Sequence, residues 1–277
     1  MKVKLASSYG FCFGVKRAIK IAEDYKNSAT MGPLIHNTNE IDRLKNDYNV
    51  GLYNSLDEVK DNDTIIIRTH GIPKFDLKNL KAKNAKVINA TCPFVTTPQQ
   101  IVKKMSAEQY SIIIFGDKDH PEVLGVQSYA QDQDDVFVIL EPSDLDKINF
   151  KYQKIATIAQ TTKKKEKYLE IVNSLILKNK EVRVFNTICD ATFENQDAAR
   201  ELSKEVDIMI VIGGKNSSNT KQLLSIAQEN CKDSFLVEDE RELDASWFKN
   251  KKLCGITAGA STPDWVIQKI VDKIEKY

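Results

Sequence analysis

This 277-residue chain has five cysteines and three histidines. Three of the cysteines share a setting. Cys12 lies in Gly10-Phe11-Cys12-Phe13-Gly14, Cys92 in Asn89-Ala90-Thr91-Cys92-Pro93, and Cys189 in Asn186-Thr187-Ile188-Cys189-Asp190. Each follows an apolar run that reads as a strand, at the point where the chain turns away. They lie about one small α/β unit apart, too far for a local metal knuckle. Carried on the same ends of three sheets, they can still meet at one point. Three thiolates meeting there suit an iron–sulfur cluster with one iron left open. An open iron can bind and reduce a substrate. Cys231 sits near a helix end and Cys254 inside a strand pattern, and both read as buried structural thiols.

The elements that must carry these residues alternate strand-like with helix-like, the pattern of parallel sheets covered by helices. One set of strands is 29–34, 50–53, 64–69 and 86–90. A second is 110–115, 135–140, 154–159 and 181–185. A third has three members, 207–212, 234–237 and 252–257, and the N-terminal strand 2–7 is expected to complete it. Helices are expected over 14–25, over 98–109 beginning at a proline, over 218–230 behind a capping stretch, and over 262–276. Three α/β domains follow, 14–92, 93–189 and 190–277, the last completed by residues 1–13. An internal echo agrees with them. Val87-Ile88-Asn89-Ala90-Thr91-Cys92 and Val184-Phe185-Asn186-Thr187-Ile188-Cys189 both read Val, apolar, Asn, two residues, Cys.

In open α/β sheets, ligands bind beyond the carboxyl ends of the strands. Just past the apolar runs lie His36-Asn37, Thr69-His70-Gly71, His120-Pro121-Glu122 and Gln160-Thr161-Thr162. Two further turns there are Gly213 to Thr220 and Ala258-Gly259-Ala260-Ser261-Thr262. All three histidines of the chain are in this set, which points to a shared task. The two glycine-serine turns fit neither a Walker loop nor a dinucleotide fingerprint. They read either as plain strand-to-helix turns or as anion cradles of hydroxyl, amide and backbone N–H groups. Glu122 reads two ways as well, as a proton donor of raised pKa or as a first-turn glutamate facing its helix dipole.

Lys plus Arg total 40 and Asp plus Glu total 39, so the near-neutral chain lacks the charge of a broad nucleic-acid footprint. No apolar run is long enough to span a bilayer. The polar start reads as a strand rather than a signal peptide. A soluble cytoplasmic protein with reduced thiols is expected, without nucleic-acid or membrane partners.

Taken in order, these motifs resemble one family along nearly the whole chain: the iron–sulfur (E)-4-hydroxy-3-methylbut-2-enyl diphosphate reductases, the LytB-type enzymes that end the non-mevalonate isoprenoid pathway. To the motifs above the resemblance adds Ala191-Thr192 and Lys215-Asn216-Ser217-Ser218-Asn219. It implies a trefoil-like arrangement of three α/β domains around a central [4Fe–4S] cluster. It implies Cys12, Cys92 and Cys189 as cluster ligands, with His36, His70, His120, Ser217, Ser218, Asn219 and Ser261 around a diphosphate. It gives Glu122 proton delivery, puts Thr161 by the substrate hydroxyl, and puts Thr192 at a further site position. A ferredoxin or flavodoxin electron donor and a monomeric state are expected with it. Three positions depart from the family pattern. Thr192-Phe193-Glu194-Asn195-Gln196 lacks the usual arginine before its glutamine, Arg68 replaces a small residue, and Phe13 replaces another. Two other readings compete. One is a quinolinate-synthase-like iron–sulfur dehydratase, and the other a non-catalytic zinc or iron–sulfur protein.

Overall fold

The structure is a computed structural model and describes residues 1–277. Along the chain run β1 (Lys2–Leu5), α1 (Phe13–Asp24), β2 (Ala29–Met31), α2 (Thr38–Tyr48), β3 (Gly51–Tyr53), β4 (Thr64–Ile67), α3 (Lys74–Ala82) and β5 (Lys86–Asn89). Next come α4 (Pro93–Ala107), β6 (Ser111–Phe115), α5 (Pro121–Gln127), β7 (Val136–Ile139), β8 (Lys154–Ala159), α6 (Lys165–Lys178) and β9 (Glu181–Val184). The last are α7 (Asp190–Ser203), β10 (Ile208–Ile212), α8 (Ser218–Asn230), β11 (Ser234–Val237), β12 (Leu253–Ala258) and α9 (Asp264–Ile274).

The strands form three four-stranded sheets, ordered β3-β2-β4-β5, β7-β6-β8-β9 and β11-β10-β12-β1, with every pairing parallel. Counted along the chain within each sheet, with β1 taken last, the order is second-first-third-fourth three times over. The N-terminal strand fills the fourth place of the third sheet, with Val3 beside Cys254. In each sheet the chain leaves the first and third strands in opposite directions. The gap between those two is the switch point where an open α/β sheet presents its ligand site.

The core follows from strands that are apolar on both faces. In β10, Ile208, Ile210 and Ile212 pack with Val266, Ile267, Ile270 and Ile274 of α9. Met209 and Val211 face the other way, onto Ala199, Leu202, Leu223 and Ala227 of α7 and α8. Each such side chain contributes roughly 1.5–3 kcal/mol by leaving water. The chain divides into two compact units. One comprises Met1–Lys16, Ile35–Asp47 and Cys189–Tyr277 and holds the sheet of β10–β12 and β1. The other comprises Arg17–Leu34 and Tyr48–Ile188 and holds the other two. No helix is long and apolar enough to cross a membrane.

The expected helix over 98–109 is corrected. It begins five residues earlier, at Pro93, and Pro98 lies inside it. Pro93 takes the first helical position, where a missing N–H costs nothing. Pro98 withholds a backbone donor from the first turns, where the Thr96 and Thr97 hydroxyls both donate to the Pro93 carbonyl at 2.9 and 3.1 Å. Several strands end earlier than the apolar runs do. β2 stops at Met31 and β4 at Ile67, and the residues beyond them form the site turns.

Candidate active site

Each of the three cysteines follows the fourth strand of its sheet and directly precedes a helix: Cys12 before α1, Cys92 before α4, Cys189 before α7. Cys92 and Cys189 are N-caps with extended backbone. The carbonyl of each cysteine accepts a first-turn N–H, from Lys16 at 3.0 Å, Val95 at 2.9 Å and Thr192 at 2.8 Å. Helix N-termini favour negative charge. The internal echo has a structural cause. Asn89 Oδ1 accepts the Thr91 N–H at 2.9 Å and Asn186 Oδ1 accepts the Ile188 N–H at 3.4 Å, so the same side-chain turn precedes both cysteines. Arg17 reinforces the first of these, donating to the carbonyls of Thr91 and Asn89 at 3.3 Å.

None of the five cysteines is in a disulfide. Cys12, Cys92 and Cys189 are half-buried, whereas Cys231 and Cys254 are buried in the core. Burial pushes the Cys254 thiol up to about 12 and raises Cys231 as well, so both stay protonated thiols. Three accessible sulfurs at helix N-termini are a donor set that fits an iron–sulfur cluster with three thiolate ligands.

The switch point of the β6–β9 sheet carries the titratable chemistry. His120 caps α5, and its Nδ1 accepts the Glu122 N–H at 3.2 Å. A neutral His120 therefore carries its proton on Nε2, as a donor on the far side of the ring. Glu122 is 2% exposed. Its Oε1 accepts the Thr161 N–H at 2.7 Å and its Oε2 accepts the Thr161 hydroxyl at 2.6 Å. Burial pushes the Glu122 carboxyl above the ordinary range, and the two Thr161 bonds offset only part of that. Glu122 does stand in the first turn of α5, as a helix-start acid would. Its carboxyl is bonded to a residue 39 positions away, not to its own helix.

In the same unit, the Thr69 hydroxyl donates to Leu34 O at 2.9 Å. The 3.4 Å contact from His70 Nδ1 to that hydroxyl then has Nδ1–H as donor. The His70 and His120 rings meet edge to face with centroids 5.5 Å apart. Cys92 is tied to this group, since its N–H donates to Thr69 O at 3.0 Å.

The other unit carries a hydroxyl-and-amide cradle. Ser217 caps α8, accepting the Thr220 N–H at 3.3 Å, which leaves its own hydroxyl proton to give. Asn219 is 4% exposed, and neither its Oδ1 nor its Nδ2 has a partner in the protein. A buried amide left unbonded costs on the order of 1–3 kcal/mol, which a polar ligand would recover. The Ser261 hydroxyl donates to His36 O at 3.3 Å. The backbones are close here: a Cβ at Gly214 would lie 2.3 Å from His36 O, and one at Gly259 would lie 2.3 Å from Thr220 Oγ1. Asn37 caps α2 by accepting the Glu40 N–H at 3.0 Å, which fixes the residue after His36. Cys12 joins this group through its N–H to Ala260 O at 3.2 Å.

Ser218 is the half-buried first residue of α8, and Thr192 is buried in the first turn of α7. Lys215, within the cradle motif, is ion-paired with Glu242. Thr220, at the end of the Gly213-to-Thr220 turn, and Gln196 of α7 also have buried side-chain atoms, Oγ1 and Nε2, that lack partners. No local pattern marks Gln196 as a site residue.

A family model described as LytB protein matches residues 3–275. Over 276 residues the chain is 63% identical to a 4-hydroxy-3-methylbut-2-enyl diphosphate reductase of Nitratiruptor sp., covering 100% of this chain and 99% of that one. To the enzyme of that name from Campylobacter jejuni it is 57% identical over 277 residues, with the same coverage. The solved (E)-4-hydroxy-3-methyl-but-2-enyl diphosphate reductase described as the terminal enzyme of the non-mevalonate pathway is similar with a TM-score of 0.72 at 40% identity, covering 100% of both chains. The E-1-hydroxy-2-methyl-but-2-enyl-4-diphosphate reductase of Plasmodium falciparum is similar with a TM-score of 0.91 at 30% identity, covering 98% of this chain and 87% of that one. With the family model spanning almost every residue and relatives this similar over their full length, the chain belongs to the LytB family.

Proposed function

We propose that the chain reduces (E)-4-hydroxy-3-methylbut-2-enyl diphosphate to isopentenyl and dimethylallyl diphosphate, the last step of the non-mevalonate route. The full-length relatives support the substrate. The observation that carries the chemistry is the buried Glu122 carboxyl held on Thr161. Two electrons and two protons enter, the allylic C–O bond breaks, and water leaves. Protonated Glu122 gives its proton, with the Thr161 hydroxyl beside it, to the departing oxygen. A second proton at either end of the allylic unit yields the two products.

In this reading Cys12, Cys92 and Cys189 hold one [4Fe–4S] cluster. When bound, the cluster supplies the electrons and Lewis acidity toward the substrate hydroxyl. His36, His70, His120, Ser217, Ser218, Asn219 and Ser261 bind the diphosphate, the Asn219 amide and the two serine-bearing turns by hydrogen bonds. Thr192 completes the wall of the site. Part of the rate comes from this positioning. The domains of this reading are 14–92, 93–189 and 190–277 with residues 1–13, each carrying one sheet. A ferredoxin or flavodoxin supplies electrons to a cytoplasmic monomer.

The test is anaerobic turnover of the hydroxylated allylic diphosphate with a chemical reductant, together with iron and sulfide analysis. Cys12→Ser, Cys92→Ser and Cys189→Ser should each lose iron and the brown colour, while Cys231→Ser keeps both. Equal loss in Cys231→Ser would overturn the ligand set. A colourless zinc protein would overturn the function.

A further inference from the structure

Thr161 sits in a turn that is pinned at both ends to the loop after β6. Gln160 donates its N–H to Phe115 O at 2.8 Å, and its Oε1 accepts the Asp117 N–H at 2.9 Å. The turn closes through Lys163 N–H to Gln160 O at 3.1 Å. Lys163 itself is 5% exposed. Its Nζ lies 2.8 Å from Asp117 Oδ1 and 5.6 Å from the centre of the Phe115 ring.

Asp117 reaches the opposite arm as well. Its carbonyl accepts the His120 N–H at 2.9 Å, closing the turn that delivers His120 to the cap of α5, two residues before Glu122. One residue therefore touches both arms of the Glu122–Thr161 contact. Its carbonyl holds the His120 side, while its N–H and carboxylate hold the Thr161 side.

Net stability does not explain this arrangement. Burying an ammonium is unfavourable, and its pairing roughly offsets that cost without adding much. A pair of this kind does fix geometry, and the Glu122–Thr161 bonds depend on the spacing of the two arms. We propose that the Lys163–Asp117 pair is a positioning latch that holds the Thr161 turn against Glu122 so that proton delivery is aligned. The inference rests on the reductase reading above.

The experiment compares Lys163→Met, Asp117→Asn and the double variant with the wild-type holoenzyme. Each single variant should lose about tenfold in kcat with KM within about twofold, since misalignment rather than binding is affected. Iron content should be unchanged. The double variant should lose no more than the worse single one, because both remove the same interaction. Amide hydrogen exchange of the peptide containing Thr161, measured without substrate, should be faster in all three. Asp117 is the more exposed partner, so Asp117→Asn keeps the test open if Lys163→Met does not fold. Variants that keep wild-type kcat, wild-type exchange at Thr161, or strictly additive losses would overturn the latch. A wild-type protein inactive on the diphosphate would instead remove the reductase reading and leave the exchange result standing.

Discussion

The mouths of two sheets with identical strand order carry different chemical groups. Past β10 and β12 lie Ser217, Asn219 and Ser261, uncharged groups on closely packed backbone. Past β6 and β8 lie Glu122 and Thr161, a buried carboxyl in two short hydrogen bonds. Topology supplies the location in both, since the first and third strands open a gap at the same place. Side-chain type then separates the two, hydroxyls and an amide at one and a buried carboxyl at the other. The cradle has buried hydrogen-bonding capacity that the protein leaves unused, while each carboxyl oxygen accepts a bond from Thr161 and burial makes its ionisation difficult.

That contrast can be broken from either side. The largest effect is expected at the carboxyl. Glu122→Gln should lower kcat about 10²–10⁴-fold with KM little changed, in steady-state kinetics under anaerobic conditions. Turnover near wild type would move proton delivery elsewhere. At the cradle the effect should fall on binding. Asn219→Ala should raise KM by about tenfold or more, through loss of a hydrogen bond to a charged ligand, with a smaller change in kcat. The ligand-free Asn219→Ala protein should melt no lower than wild type, because the amide it loses has no partner there. A clear fall in its melting temperature would assign Asn219 to the scaffold.

The smallest effect separates the two sites by pH. The Glu122 carboxyl is raised in the folded protein, so the folded state favours its proton. That contribution is fully present below the ordinary carboxylate range and is lost as pH rises through the raised folded value. A glutamine at this position cannot titrate; its Oε1 can still accept the Thr161 N–H, and its Nε2–H can donate to the Thr161 hydroxyl, which reverses that bond. The melting temperature of Glu122→Gln relative to wild type should therefore climb over that pH interval and level off above it. Asn219→Ala should show no such slope.

Much of this arrangement was legible before any coordinates. Apolar runs bounded by turn residues placed the strands, and the count of three clear strands in the last set called for residues 2–7 to complete it. The position of Val3 beside Cys254 agrees. The histidines and the glycine-serine turns stood out because they fall just past those runs. The start of α4 is ambiguous in the sequence because a proline favours a helix start, and two prolines five residues apart offer two such starts. Only the hydroxyl-rich first turn distinguishes them.

Other features had no local signature. Glu122 read equally well as a helix-start acid, and its contact with Thr161 spans two loops that neither segment encodes alone. Gln196 and the Lys163–Asp117 pair carry no local signal for the same reason. Residue type and spacing by themselves determined which segments become strands and which reactive groups stand just past them, because periodicity and turn chemistry act over a few neighbouring residues. The packed structure alone decided which of those groups are buried, which are bonded and which are left wanting a partner. Desolvation and hydrogen-bond completion depend on what the rest of the chain brings alongside.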